Sequence, residues 1–408
     1  MTTVIYSKQL IADPALPPIP HGVVVVEGER IVALGRPEEV RVPPDSTVID
    51  CREETVLPGL IDTHAHITAD NRYGYALESH EALDLPTLVL RGSMSLRDDL
   101  ASGVTTMRTL GDRDDVELRF REAIRRGEIP GPRLVICVRA LRPSHGTAAM
   151  LAFPADGPEE IRRRIRENFF LGAQCTKIFA TNVQNGPGFL DYLRGDLTGE
   201  PAYTQEELRA AVEESHALGM KVAAHAIGGP AMRWAMEVGV DSIEHGNLLE
   251  EQDIEWMVRY GTYLSDPNLQ LFFDEETGFE TFPTWKYDWW REKVERAREQ
   301  TARYLPEAIR AGVKVCLATD STHASLWREA RHLVGLGVST RYALLALTKH
   351  GAELLGMDDQ VGTLAPGKIA DLIAVRGDPL VDILALRDVR MVMQAGRRCD
   401  PQRSNLGW

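Results

Sequence analysis

From residue 56 to about residue 320 the chain repeats one rhythm: a nearly continuous apolar run, a polar turn, then an amphipathic stretch. The runs fall around Leu60-Ile61 and at 103–110, 133–138, 175–181, 221–225, 241–245, the weaker 261–264, and 313–320. Between them lie patterns of helical period, such as 206–218 and 230–238. A strand that is apolar on both faces must be covered on both, so these strands alternating with helices predict a parallel sheet under helices. Eight such units predict an α/β fold of the closed (β/α)8 TIM-barrel type.

The flanks read differently. Residues 23–35 form a hairpin pattern with Glu27-Gly28-Glu29-Arg30 at its tip, and 47–50 is a further short strand. Residues 370–375 and 389–398 return to short strands with turns between them. The economical arrangement pairs both chain ends in one small β-sandwich domain, from residues 1–56 and 366–408, beside a barrel of residues 57–365. Aromatic residues concentrate at 282–290, after the seventh strand, on the side where barrels keep their active sites. That stretch reads either as a helix packing on its neighbours or as a substrate-facing lid or dimer contact.

Composition narrows the partners. A chain of 408 residues with 44% hydrophobic and 26% charged positions has ample material for a core. A net charge of −14 argues against nucleic acid or an anionic membrane as partner, which leaves a small-molecule substrate. The five cysteines, Cys51, Cys137, Cys175, Cys316 and Cys399, are scattered without CxxC spacing, so a disulfide framework or a cysteine zinc site is not expected. The first residues lack a basic-then-apolar leader pattern, and no run reaches the ~18 apolar residues of a membrane span. A cytoplasmic protein is expected.

The candidate chemistry begins at Val56-Leu57-Pro58-Gly59-Leu60-Ile61-Asp62-Thr63-His64-Ala65-His66. In a strand, residues two apart face one side, so His64 and His66 would converge at the strand's carboxyl end, as metal ligands do. With 11 histidines in 408 positions, chance alone gives about 0.3 such pairs, so the pair needs partners. His225 ends the fifth run, His245 the sixth and Asp320 the eighth, which places all of them on one rim. Singly, each more often serves as a satisfied polar residue. Lys177 lies inside the apolar run Thr176-Lys177-Ile178-Phe179, where an unpaired ammonium is costly. Two readings stay open for it: a buried ion pair, for instance with Asp320, or a neutral amine carboxylated by CO2 into a metal-bridging carbamate.

These segments, with His225-Ala226-Ile227-Gly228, Ile243-Glu244-His245-Gly246, Ala318-Thr319-Asp320-Ser321 and the tail from Gly362 to Leu372, resemble the amidohydrolase superfamily. Within it the chain is similar to the binuclear-metal branch with a carboxylated lysine, the group of imidazolonepropionase-like and prolidase-like dipeptidase enzymes. The resemblance implies two divalent metal ions, zinc by default, with His64, His66 and Asp320 on one and His225 and His245 on the other. Lys177, as carbamate, would bridge them together with a hydroxide. Asp320 would take that hydroxide's proton and pass it to the leaving amine. The implied reaction is metal-dependent hydrolysis of an amide, of an N-acyl amino acid or dipeptide, by a homo-oligomer.

The resemblance also gives His145, in Arg142-Pro143-Ser144-His145-Gly146, a role in polarising the substrate carbonyl; the alternative is an ordinary loop histidine. Arg142 and Arg139 are candidates for a substrate carboxylate or for pairing with acids, and His323 for substrate contact or a loop role. His216, His332 and His350 fall in helical patterns and read as surface or packing residues. Where relatives often carry tyrosine two residues after the fifth-strand histidine, this chain has Ile227, which removes a donor. The same ligands would serve a cyclic amide, urea, carbamate or ester, and a metal-free scaffold is the non-enzymatic reading.

Overall fold

The structure, a computed structural model, describes residues 2–74 and 83–399. Eight parallel strands form the barrel: β1 Leu60–Ala65, β2 Val104–Thr109, β3 Arg133–Ile136, β4 Cys175–Phe179, β5 Lys221–Ala226, β6 Ser242–His245, β7 Tyr263–Pro267 and β8 Val315–Ala318. Every residue of β1, β2, β4, β6 and β8 is buried, as strands covered on both faces require. The barrel closes in two places. The Asp320 amide donates to His64 O at 2.7 Å and the His66 amide to Asp320 O at 2.9 Å, which joins β8 to β1. The Gln174 amide donates to Ile136 O at 2.8 Å, and Leu141 pairs with Ile178, which joins the third strand's extension to β4. The resulting core includes Leu60, Ile136, Ile178, Ala224, Ile243, Leu264 and Leu317.

Local sequence explains the offsets from the expected strands. β7 begins at Tyr263 rather than 261 because Gly261, at φ 68°, caps the preceding helix Glu251–Tyr260 in the left-handed region. The third strand breaks at Val138, whose φ of 69° turns the chain, and resumes as Ala140–Arg142. The helix Gln205–Ala217 starts one residue before its expected position because Thr204 and Glu207 form a reciprocal capping box.

Both chain ends build the companion domain. Strands Thr2–Leu10, Val23–Glu27, Arg30–Gly35 and Thr47–Pro58 from the start pair with Leu372–Arg376 and Val389–Gln394 from the end in one sheet of eight strands. The sheet curls until its far ends share an interior, with Val24 and Ile31 packing in one cluster with Ala370 and Met393. Thr47–Pro58 is longer than the short strand expected at 47–50, and Val56, Leu57 and Pro58 still pair with Ala374, Ile373 and Leu372. The chain crosses into the barrel at Gly59, where a Cβ would stand 2.1 Å from Thr105 Oγ1. Only glycine fits that approach, so the Pro58-Gly59 pair is a packing requirement of the junction.

Among the described residues, no helix is long and apolar enough to cross a membrane, and Cys137, Cys175 and Cys316 are buried free thiols. The aromatic stretch forms a short 3-10 turn, Pro283–Lys286, leading into the helix Asp288–Ala311.

Candidate active site

The barrel gathers the polar groups at the carboxyl ends of its strands. His64 and His66 project to the same side of β1, with their Nε2 atoms 3.3 Å apart. Asp320 follows β8, with Oδ1 3.6 Å from His66 Nε2. The ligand atoms of these three residues all lie within 4.8 Å of one another. Lys177, fully buried on β4, places Nζ 3.3 Å from His64 Nε2. His225 on β5 and His245 on β6 complete the ring, with their centroids 4.7 Å apart and His245 5.0 Å from His64. His245 and Asp320 hold φ of 75° and 55°, a left-handed backbone that costs a non-glycine residue of order 1–3 kcal/mol. The fold sustains that strain at both positions.

A hydrogen bond and a close carboxylate behind the ring orient the two β1 imidazoles. His64 Nδ1 lies 3.0 Å from Glu244 Oε2, and His66 Nδ1 donates to Gly111 O at 2.6 Å. With the proton on Nδ1, each imidazole turns an Nε2 lone pair into the cavity. Burial, reinforced by the charge of Lys177, holds His64 and His225 well below the ordinary histidine range. Burial likewise holds His245 well below it, with His225 adding to the effect. Burial also pulls Lys177 down to about 8, while Glu244 and Asp320 oppose that shift. Among the described residues Lys177 makes no ion pair, so the Lys177–Asp320 pair considered from sequence does not form.

The His66–Gly111 bond leaves a lone pair on His66 Nε2, and His64 Nε2 converges on the same point from 3.3 Å away. That arrangement, beside a carboxylate, is a donor set suited to a divalent transition metal.

A buried ion pair anchors this assembly. The Arg108 guanidinium donates to Glu244 Oε1 at 2.7 Å, to Ser242 Oγ at 3.2 Å and to Thr63 O at 2.5 Å. Arg108 and Glu244 are both wholly inaccessible. The run Arg108–Glu244–His64 therefore passes from the barrel interior to the ring. Arg108 interrupts an apolar run just as Lys177 does, and Glu244 directly precedes His245, so both carried a sequence signal that the ligand pattern overshadowed.

Above the ring opens a pocket of about 700 Å³, its mouth included. Its walls are largely apolar, from Phe179, Leu197, Ile227, Leu271, Phe272 and Phe279. Phe279 stands edge-on to Phe272 at 5.3 Å and to Trp290 at 5.5 Å. The aromatic stretch thus braces the wall from behind. Six further side chains bring polar atoms to the walls: Thr147, Tyr192, Asp196, Asn247, Asn268 and Ser321. Asn268 Nδ2 donates to Asp320 Oδ2 at 3.0 Å. Asp196 accepts from Asn182 Nδ2 and from the Leu197 amide, each at 2.8 Å. Asn182 Nδ2 also reaches His225 Nε2 at 2.9 Å. These loop residues carried no periodic or motif signal in the sequence.

The residues expected to bind substrate are placed less favourably. His323 is fully buried, with Nδ1 2.7 Å from Asp99 Oδ2 and Nε2 3.1 Å from His66 O. Both ring nitrogens are engaged beneath the ring, so the expected substrate contact is corrected to a role in holding the loop after β1. Arg142 donates to the carbonyls of Pro143, Ser144 and Gly146 at 3.0, 3.0 and 3.2 Å, and so shapes its own loop instead of facing the pocket. Arg139 pairs with Asp115 at 2.6 Å. His145 is exposed at the rim, on the loop whose next residues, Thr147 and Ala148, do line the pocket.

Comparison with known proteins agrees with this architecture. A model of the amidohydrolase family matches residues 55–399. Ochratoxinase of Aspergillus niger is 26% identical over an alignment covering 96% of this chain and 84% of that protein. Imidazolonepropionase of Streptomyces coelicolor is 25% identical, covering 92% and 90% of the two chains. A crystal structure of a Xaa-Pro dipeptidase with methionine bound in its active site superposes with a TM-score of 0.84 at 27% identity, covering 98% of this chain and all of that one.

Proposed function

Since the chain belongs to the amidohydrolase family, we propose that it is a metal-dependent hydrolase that cleaves the carbon–nitrogen bond of a small amide. The observation that carries this reading is the convergence of His64, His66, Lys177, His225, His245 and Asp320 on one buried rim under an open pocket. His64, His66 and Asp320 would hold one divalent ion and His225 and His245 a second. Lys177 would stand between the two as a carbamate, formed when its neutral amine adds to CO2 with release of a proton. Divalent ions bound there supply Lewis acidity, which acidifies a water and polarises a carbonyl.

The chain's own groups do the rest. Asp320 takes the proton of the attacking water on its carboxylate and returns it to the departing nitrogen, so the amine leaves neutral. Asn268, donating to Asp320 Oδ2, keeps that carboxylate aimed across the ring. Glu244 and the Gly111 carbonyl keep the two β1 imidazoles in the tautomer that offers Nε2. The apolar walls exclude bulk water from the reacting atoms.

The test couples metal content to turnover. Purified protein loaded with zinc is offered a library of dipeptides, N-acyl amino acids, neutral amides, ureas, carbamates and lactams, read by mass spectrometry, with Lys177→Ala and His64→Ala as blanks. The reading predicts about two metal ions per chain and turnover of at least one class, which both variants lose. A metal-loaded protein that turns over nothing in the library, or a Lys177→Ala variant with undiminished activity, refutes it.

A further inference from the structure

The pocket's charge is as informative as its ring. Among its lining residues the basic groups are the four ring histidines and Lys177, all at the floor. The walls hold no arginine and no second lysine. Three cations of the neighbouring segments are engaged within the protein, and the charge of one of them, Lys293, acts on Asp196. Arg142 is spent on three carbonyls of its own loop, Arg194 pairs with Asp191, and Lys293 donates to Leu193 O and Asp196 O.

What the walls do hold is a carboxylate. Asp196 is 8% exposed and lines the pocket next to His225, with which it shares the Asn182 Nδ2 group. Its donors are uncharged: the Asn182 amide, the Leu197 backbone amide and the Tyr192 hydroxyl at 3.2 Å. Asn247 and Thr147 add neutral polarity. Each is at most 2% exposed, and Asn247 Nδ2 and Thr147 Oγ1 have no partner among the described residues. A buried N–H without an acceptor is costly unless a ligand supplies one. A substrate carbonyl would do so.

Resting on the hydrolase reading above, we infer that this pocket selects substrates without a free carboxylate: neutral amides, carbamates or ureas bearing an apolar, preferably aromatic, group. The aromatic group packs on Phe272, Phe279 and Ile227, Asn247 and Thr147 meet a neutral polar group, and Asp196 repels acids. Above the floor, a carboxylate entering here would meet a like charge across apolar walls with no lining arginine or lysine to offset it, and like-charge juxtaposition is how sites reject wrong ligands. The dipeptides and N-acyl amino acids expected from sequence resemblance alone are therefore disfavoured. Hydrolysis balances in the ordinary way: water adds its oxygen to the carbonyl carbon, the C–N bond breaks, and the nitrogen leaves carrying the transferred proton.

Two matched pairs test this on the zinc-loaded enzyme. The first is N-acetylphenethylamine against N-acetyl-L-phenylalanine, which differ by one carboxylate beside the scissile bond. The second is propionanilide against its 4-carboxylate, which places the charge across the ring. The neutral member of each pair is expected to have the higher kcat/KM by at least about tenfold, or 1.4 kcal/mol. Asp196→Asn should narrow that ratio by improving the acid, and Asn247→Leu should raise KM for both members while leaving the ratio in place. Equal or faster turnover of the acids by the wild-type enzyme overturns the inference and leaves the hydrolase reading intact. An unchanged ratio in a folded Asp196→Asn variant removes Asp196 as the determinant. Turnover of no amide in either pair or in the wider library withdraws the hydrolase reading, and this inference with it.

Discussion

Replacing Glu244 by glutamine changes one atom and should fail in two separable ways. The carboxylate accepts from Arg108 at 2.7 Å on one oxygen and faces His64 Nδ1 at 3.0 Å with the other, in a place no solvent reaches. A carboxamide has one acceptor end. If that end keeps Arg108, the NH2 faces His64 Nδ1, and the imidazole must move its proton to Nε2, the atom offered to the metal. Arg108 also loses its counter-charge. Stranding one member of a buried pair costs about 3–5 kcal/mol, and disturbing the group behind a ligating histidine costs about 10–100-fold in metal affinity. Guanidinium denaturation of the metal-free protein reads the first quantity, and competition against a graded chelator reads the second. The double variant Arg108→Met, Glu244→Gln separates them, because removing both charges should recover most of the stability and none of the metal affinity. If Glu244→Gln loses less than about 1 kcal/mol and holds metal as the wild type does, the chain of Arg108, Glu244 and His64 does not support the site.

Three further outcomes are expected. Burial first, and then the charge of Arg331, holds His332 at about 4, so the unfolded chain binds an extra proton between that value and the ordinary 6.5. Stability should therefore rise with pH across that window, by up to about 1.4 kcal/mol per unit from this group, and His332→Gln should flatten the slope in urea titrations from pH 4.5 to 7.5. A variant as steep as the wild type would refute the assignment. Gly59→Ala should destabilise the domain junction by about 1–3 kcal/mol, since its Cβ runs into the Thr105 side chain, and adding Thr105→Ala should recover only part of the loss, because Thr105 Cβ itself would stand 2.8 Å from the new methyl. Exhaustive chelation should abolish activity and lower Tm, and titrating zinc back should restore both together, by about 2.7 kcal/mol at a hundredfold excess over Kd. Recovery of Tm without activity would separate a structural metal from a catalytic one.

Much of this protein was legible along the chain. Eight apolar runs alternating with amphipathic segments leave few ways to cover a two-faced parallel sheet, so the barrel follows from burial alone. The ring residues were legible for a related reason: a barrel strand ends at its active face, and polar residues closing an apolar run must lie there. Lys177 announced itself as a charge where none is tolerated without purpose. Arg108 sent the same signal but pointed inward to Glu244, which the run could not reveal because the partner lies 136 residues away.

The substrate pocket was decided only by tertiary structure. Asn182, Asp196, Asn247 and Asn268 sit on loops, where no periodicity constrains the residue type and position depends on packing between distant segments. The sequence left His323, Arg142 and His145 each open between substrate contact and a structural role, with the family resemblance pointing to His145. Folding buried the first against Asp99, bent the second onto its own loop and left the third exposed at the rim. Strand periodicity thus determined the fold and its ring of polar residues, because burial acts on every residue of a strand. The pocket's charge and shape came from loops that the closed barrel alone brings together.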